Sequence, residues 1–288
     1  MQSYLQLEDD GLPMRKAGKW AAEKLDYLAR YIDVFETSMR ERWPVRCYVD
    51  LLAGPGKNRV RDSGVILLGS PLLALTTRYP FTAYFFVDSS SENANALRQR
   101  CTASPDCQRV DIRTGDCNEL VNDVVARIKS DDWRSLNLAF LDPEGMELEW
   151  KTVATLASLL QMDLIINYPE GGLNRLMPKA VEAEAQTGVD SFFGGWEWRA
   201  IYEDWLRRGK RSGIHRQLID LYKRKLGDLG YKEIRQGDQQ VESEPLIRST
   251  RRRAPLYRLL FASKHPLGHE FWQNVTRRNV YGRRSFDL

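Results

Sequence analysis

The sequence predicts an α/β fold: a mainly parallel sheet with helices on both faces, carrying an inserted helical lobe. Short apolar segments alternate five times with helix-like ones, glycines and acids stand at the ends of the apolar segments, and beyond Pro169 a Trp-, Gly- and Arg-rich stretch breaks the alternation. Such alternation builds βαβ units, whose parallel strands are covered on both faces and so read as continuous apolar runs.

Residues 16–43 read as a helix, because Ala21, Leu25, Leu28, Ile32, Phe35 and Met39 recur on one stripe with charges opposite. After Pro44 the period changes. RCYVDLLA (46–53), TAYFFVD (82–88), RVDIRTGD (109–116), SLNLAFLDP (135–143) and MDLIINYP (162–169) read as strands. SPLLALTTR (70–78), SENANALRQRC (91–101), NELVNDVVARIKS (118–130) and WKTVATLASLLQ (150–161) read as the helices between them. Ser70 before Pro71 reads as an N-cap with proline at the first helical position. Residues 170–214 read as the helical lobe. A helix over 215–230 follows, then two strands, YKEIRQ (231–236) and LYRLLFASK (256–264), joined by the turn-rich SEPLIRSTRRRAP (243–255). The expected organisation is a core over 1–169, a helical insertion over 170–214 and a basic closing segment over 215–288.

A chain of 288 residues, 42% hydrophobic and 28% charged, can bury a sizeable core. No apolar run approaches the roughly 18–20 residues of a membrane span, and the opening MQSYLQLEDDGLP lacks a secretory signal's basic and apolar regions. A cytoplasmic protein with no membrane partner is expected. The four cysteines, Cys47, Cys101, Cys107 and Cys117, form no CxxC pair, and Cys47 and Cys117 read as small hydrophobes in or beside strands. His265 and His269 flank a Pro-Leu-Gly turn, a poor metal arrangement, and no metal is expected. Charge is uneven: residues 207–288 hold 20 Lys and Arg against 8 Asp and Glu, while the remainder holds 23 against 31. Such asymmetry points to a polyanionic partner.

In a doubly wound sheet the ligand sits beyond the C-terminal ends of the strands, so the residues there are the candidate ligand contacts. The first strand ends in Asp50 and the turn Ala53-Gly54-Pro55-Gly56, where glycines let the backbone approach a ligand. The second ends in Asp88, suited to two ribose hydroxyls. The third ends in Gly115-Asp116-Cys117, where Asp116 suits an adenine amino group, and the fourth in Asp142-Pro143-Glu144. Acids at strand ends also cap helices, so each alone says little; four in succession say more. The dinucleotide fingerprint GxGxxG running into a helix is absent, as is a GxxxxGK[ST] loop, so no pyrophosphate cradle is evident. The expected cofactor is S-adenosylmethionine, contacted by Asp50, Ala53, Gly54, Gly56, Asp88, Asp116, Cys117 and Asp142.

At these residues the chain resembles the three-Cys-motif partner protein family, bacterial and phage-associated proteins similar to S-adenosylmethionine-dependent methyltransferases. The resemblance covers most of the chain: Lys24-Leu25-x-x-Leu28-x-x-Tyr31, YVDLLAGPG (48–56), GSPLLAL (69–75), FFVD (85–88), GDCN (115–118), FLDPEG (140–145), INYPEGGLNR (166–175) and FASKHPLG (261–268). It implies a Rossmann-like class I methyltransferase fold, cofactor contacts at Asp50, Gly54, Gly56, Asp88, Asp116 and Asp142, and a functional partnership with a three-cysteine protein similar to radical S-adenosylmethionine proteins. Leu51, Leu52 and Glu144 depart from the family pattern, which has an aromatic where Glu144 stands.

Amine-directed methyltransferases of nucleobases use a (D/N/S)PP(Y/F) loop, whose aromatic stacks on the extruded base. Here Asp142 and Pro143 persist without that aromatic, so Asp142 and Glu144 are expected to line the acceptor site with Tyr168 as a platform. Lys57, Arg59, Arg175 and Arg251 are the expected contacts to nucleic acid, with clusters at 207–211 and 251–253 and aromatics in FFGGWEW (192–198) and at Phe271 and Trp272 to stack on unpaired bases. A methyltransferase acting on DNA, RNA or a nucleobase is the leading reading. A non-catalytic cofactor-binding subunit of the three-cysteine protein, and an accessory protein holding magnesium on Asp50, Asp88, Asp116 and Asp142, stand as alternatives.

Overall fold

The computed structural model describes residues 7–132, 134–209, 212–231, 235–236, 239–240, 244–250 and 253–277. Its main sheet contains β1 (Arg46–Asp50), β2 (Ala83–Asp88), β3 (Val110–Thr114), β4 (Leu136–Leu141), β5 (Gln161–Tyr168), β6 (Leu246–Arg248) and β7 (Pro255–Ala262). The seven strands lie in the order β3-β2-β1-β4-β5-β7-β6. The first five run parallel, and β7 runs antiparallel to both β5 and β6. This is the strand order of the Rossmann-like class I methyltransferase fold. The order reverses between β1 and β4, where a crevice opens beyond the strand ends.

Alternate residues of each strand feed two cores. Cys47, Val49, Phe85, Val87, Ala139 and Leu141 face one side, packing against α4 (Cys117–Asp132), α5 (Trp150–Ala157) and α9 (Ile214–Asp228). Tyr48, Tyr84, Phe86, Leu138 and Phe140 face the other, against α1 (Ala21–Met39), α2 (Ser70–Leu75), α3 (Ser91–Cys101) and α10 (Pro266–Thr276). Every stripe residue expected for α1, from Ala21 to Met39, is buried. Cys47 and Cys117 are buried free thiols, and burial pushes both up to about 12. Among the described residues no helix is long and apolar enough to cross a membrane.

The lobe consists of α6 (Glu170–Ala180), α7 (Gly188–Phe193) and α8 (Glu197–Arg207). Of the expected base-stacking aromatics, Phe192, Phe193 and Trp198 are fully buried packing residues, as is Trp272 in α10, whereas Trp196 is 50% exposed and Phe271 half-buried. Asp190 organises them. One of its oxygens accepts from Trp198 Nε1 and Arg199 Nε, each at 2.9 Å, and the other from Arg199 Nη2 and Thr187, each at 2.7 Å.

The C-terminal part differs from expectation. The partner of β7 is β6, inside the stretch read as a connector, because Ile247, between Leu246 and Arg248, is an apolar residue that fills the core. Residues 232–234 lie outside the described residues, and among the described ones Arg235–Gln236 pairs with Gln239–Gln240. The Pro-Leu-Gly turn is the first turn of α10, where the His265 ring accepts from Leu267 N at 3.1 Å as an N-cap ahead of Pro266. A small second sheet, 15–17 with 57–60 and 66–68, was not foreseen.

Asp190→Ala leaves the buried Arg199 guanidinium without its carboxylate, and is expected to cost about 3–5 kcal/mol in urea unfolding. Burial alone raises the Asp190 carboxyl, but Arg199, Thr187 and Trp198 hold it well below its ordinary 3.8. The carboxylate's contribution is therefore complete above that value and declines as pH falls below it, a dependence the variant should lose.

Candidate functional site

The site begins at the turn after β1. Ala53 N donates to Val87 O at 2.9 Å and Gly54 N to Asp88 Oδ2 at 2.8 Å, tying the turn to the end of β2. Gly54 and Gly56 sit at φ +65° and +89°. A Cβ on Gly56 would lie 2.8 Å from Leu97 and 3.0 Å from Leu72. Gly69 N donates to Gly56 O at 2.6 Å, which holds the start of α2 against the turn even though the hairpin 57–68 intervenes. Ser70, expected as the N-cap, is the first helical residue after Gly69.

Over this turn lies a cavity of about 620 Å³ at the β1/β4 switch point. Ala53, Gly54, Gly56 and Ser70 line one side, and Asp142, Glu144 and Asn167 another. Trp20 and Lys24 of the α1 end, Arg15 of the preceding strand and Tyr257 of β7 close it, while Lys16, Arg61 and Arg175 stand at the mouth. Lys24 Nζ pairs with Asp142 Oδ2, and Asn167 Nδ2 donates to Asp142 Oδ1 at 2.8 Å. The ammonium lies 5.2 Å from the Tyr257 ring centre and 5.9 Å from that of Trp20. Arg15 bridges to Glu144 at 2.9 Å across the rim.

Beneath the lining, Asp50 is fully buried. Desolvation pushes its carboxyl up to about 7, the Ser70 and Leu52 donors opposing and Asp142 adding to the rise. Asp50 Oδ2, Asn167 Oδ1 and the Tyr48 and Tyr257 hydroxyls have no hydrogen-bond partner among the described residues. Buried polar atoms are ordinarily satisfied; Asn167 and Tyr257 line the cavity, with Asp50 and Tyr48 buried behind the lining, and such a group marks a place for a polar ligand.

Ala53, Gly54, Gly56, Asp142, Glu144 and Arg175 therefore meet at one cavity. Asp50 and Asp88 support it from behind: Asp88 accepts from Gly54 N, Ser90 N and Asn93 Nδ2. Asp116 is exposed on the same rim and accepts from Asn118 N at 2.6 Å as α4 begins. Three expectations are corrected, those for Tyr168, Cys117 and Lys57. Tyr168 is no platform, since it is fully buried with its hydroxyl 3.0 Å from His215 Nδ1. Cys117 is buried in the core of α4. Lys57 is buried and engaged by Glu8 O and Asp10 Oδ2, each at 2.9 Å. Arg59 pairs with Asp9. Arg251 lies outside the described residues. The acids do not gather as a metal site either: among the described residues no group of three or more His, Cys, Asp or Glu is so arranged.

Sequence reasoning missed Arg15, Lys24, Asn167 and Tyr257 as site residues. Two carried a signal. Lys24 occupies the apolar stripe of α1 between Ala21 and Leu28, and Asn167 interrupts a buried strand of Leu and Ile; a polar group at a core position asks for a partner.

No family model matches the chain, and no curated protein matches it. Among solved structures it is similar to an O-methyltransferase from Bacillus cereus in complex with SAH, at 10% identity over 88% of this chain and 85% of that one, with a TM-score of 0.45. A geranyl diphosphate methyltransferase in complex with GPP and sinefungin overlaps it at 13% identity over 89% and 91%, with a TM-score of 0.35. A protein from Legionella pneumophila does so at 12% identity over 58% and 75%, with a TM-score of 0.41. These likenesses are distant, and the fold assignment rests on the strand order itself.

Gly56→Ala places a Cβ against Leu97 and Leu72 at a positive φ. A loss of roughly 1–3 kcal/mol in thermal unfolding is expected, from strain and overpacking together.

Proposed function

We propose that this chain binds S-adenosylmethionine at the C-terminal rim of its sheet and transfers the methyl group to a nucleic acid. The observation that carries the reading is the cavity over the Gly54–Gly56 turn, at the switch point of a class I methyltransferase sheet, with Asp50 Oδ2 and Asn167 Oδ1 unpartnered beside it. Those two oxygens suit the ammonium of a methionine moiety. Asp88, with Asn93 beside it, is the ribose-side pair, and Asp116 on the same rim is the group for an adenine amine. When bound, the cofactor supplies a sulfonium methyl, and the chain's task is alignment and accommodation of the lost positive charge. The turn runs into a hairpin before α2 begins, so the chain lacks the glycine turn leading directly into a helix that marks a dinucleotide fingerprint. This favours a sulfonium cofactor over a dinucleotide.

For the acceptor, Lys16, Arg61 and Arg175 are exposed at the mouth and have no ion-pair partner among the described residues. Three free cations round a catalytic cavity, with a strongly basic closing segment, suit a phosphate backbone.

Two measurements test the reading. Calorimetry should detect S-adenosylmethionine binding that tightens from pH 5.5 towards 7, by up to about tenfold per unit, with proton release. The sign follows from Asp50, whose folded carboxyl titrates near 7 and must ionise to receive an ammonium; Asp50→Asn should abolish the dependence. In a salt titration of RNA or DNA binding, Arg61→Ala and Arg175→Ala should each lower the slope of log K against log salt by about one. Affinity that ignores salt contradicts a phosphate-binding mouth, and cofactor binding without transfer to any nucleic acid favours the non-catalytic partner subunit.

A further inference from the structure

We propose that Lys24 is a catalytic residue and that the methyl acceptor is a hydroxyl oxygen, the ribose 2′-hydroxyl of RNA; the proposal rests on the methyltransferase reading above and deepens it. The acid after β4 is the group that would hold an exocyclic amine in base methylation, and here each of its oxygens is already engaged by a donor of the chain. Asp142 Oδ2 accepts from Lys24 Nζ and Oδ1 from Asn167 Nδ2 at 2.8 Å. Glu144 is tied to Arg15. Tyr168 offers no stacking face, and Trp20 meets Tyr257 edge to face at 5.0 Å with Lys24 packed on both rings, which leaves no slot between them for a base.

What the cavity presents instead is an amine. Lys24 projects from α1 to the β1/β4 crevice and is held in place by a carboxylate that is itself oriented by an amide. Asn167 Oδ1 and the Tyr257 hydroxyl stay available beside it. An alcohol is a weak nucleophile until its proton is taken, so its methylation calls for a positioned base; Lys24 rests as the ammonium paired with Asp142 and must first lose a proton to water to serve as that base. In the proposed step Lys24 Nζ, as the free amine, accepts the hydroxyl proton while the oxygen forms its bond to the methyl carbon. The carbon–sulfur bond breaks, its electron pair stays on sulfur, and the sulfonium becomes a neutral thioether. The resulting Lys24 ammonium is paired by Asp142 and returns its proton to water before the next turnover. Asp142 and Asn167 are positioning residues in this scheme. The charged and titratable groups around Lys24 are Asp142 beyond β4 and Tyr257 of β7, with Asp50 and Tyr48 of β1 behind Asp142, Arg15 and Glu144 at the rim, and Glu23 on its own helix.

The test uses the full chain, tritiated S-adenosylmethionine, and an unstructured RNA, the DNA of the same sequence, and the same RNA fully 2′-O-methylated. Label is expected on RNA alone, and on the ribose after digestion to nucleosides. Lys24→Arg and Lys24→Met, with melting curves to verify folding, are expected to bind cofactor in calorimetry within about threefold of the parent while transfer falls at least about a hundredfold. The parent's kcat should rise with pH with unit slope, and the Lys24→Arg profile should be flat. Without cofactor, fluorescence anisotropy should show RNA bound up to about tenfold more tightly than DNA, and Lys24→Met should erase the difference. Label on DNA or on a base, or full activity in Lys24→Arg, overturns the hydroxyl assignment and leaves the methyltransferase reading intact. Failure of the parent chain to bind S-adenosylmethionine overturns both.

Discussion

At Gly56 the chain passes at positive φ between Leu72 of α2 and Leu97 of α3, while its carbonyl accepts from Gly69. That close approach lets a turn and a helix separated by a hairpin act as one continuous wall. The Asp88 carboxylate fastens the other limb of the turn through Gly54 N. Without the first contact α2 would stand off from the sheet. Without the second, Gly54 would be free to swing into the space the cavity occupies. The cavity is thus a consequence of backbone packing, with side chains added to its walls.

Electrostatics divides those walls. Acids at the ends of β1, β2 and β4 are buried and committed to donors, Asp142 to Lys24 and Asn167, Asp88 to backbone and Asn93. Only Asp50 keeps a buried oxygen without a partner, and its raised carboxyl is the cost of that. Cations instead dominate the opening. An N-terminal segment crosses the same region: Asp10 accepts from Arg100 and pairs with Lys57, and Arg15 reaches Glu144. This segment roofs the crevice and explains why Lys57, next to the glycine turn, faces inward rather than towards a polyanion.

The parallel core was legible because its central strands are buried on both faces, which makes a segment such as LNLAFL a continuous apolar run, and because the helices between carry clean stripes. Gly54, Gly56 and Asp142 were legible as site residues since a strand-end rule applies to any doubly wound sheet. Elements whose identity comes from distant partners were harder. β6 is a short apolar insertion among arginines, and residues 57–68 pair only because 15–17 and 66–68 lie alongside. Tyr168 looked like a platform because its strand position is right, yet strand alternation turns it into the core with Phe192 and Phe193. Lys24 stood in plain view on an apolar stripe; its partner lies 118 residues away, a separation that local pattern does not reveal.

The most direct measurement is difference density from a crystal soaked with S-adenosylhomocysteine. The account predicts density in the crevice between β1 and β4, its amino group beside Asp50 and Asn167 and its backbone-facing edge against Gly54 and Gly56. A ligand bound elsewhere, or a cavity that stays filled with water at saturating ligand, would contradict it.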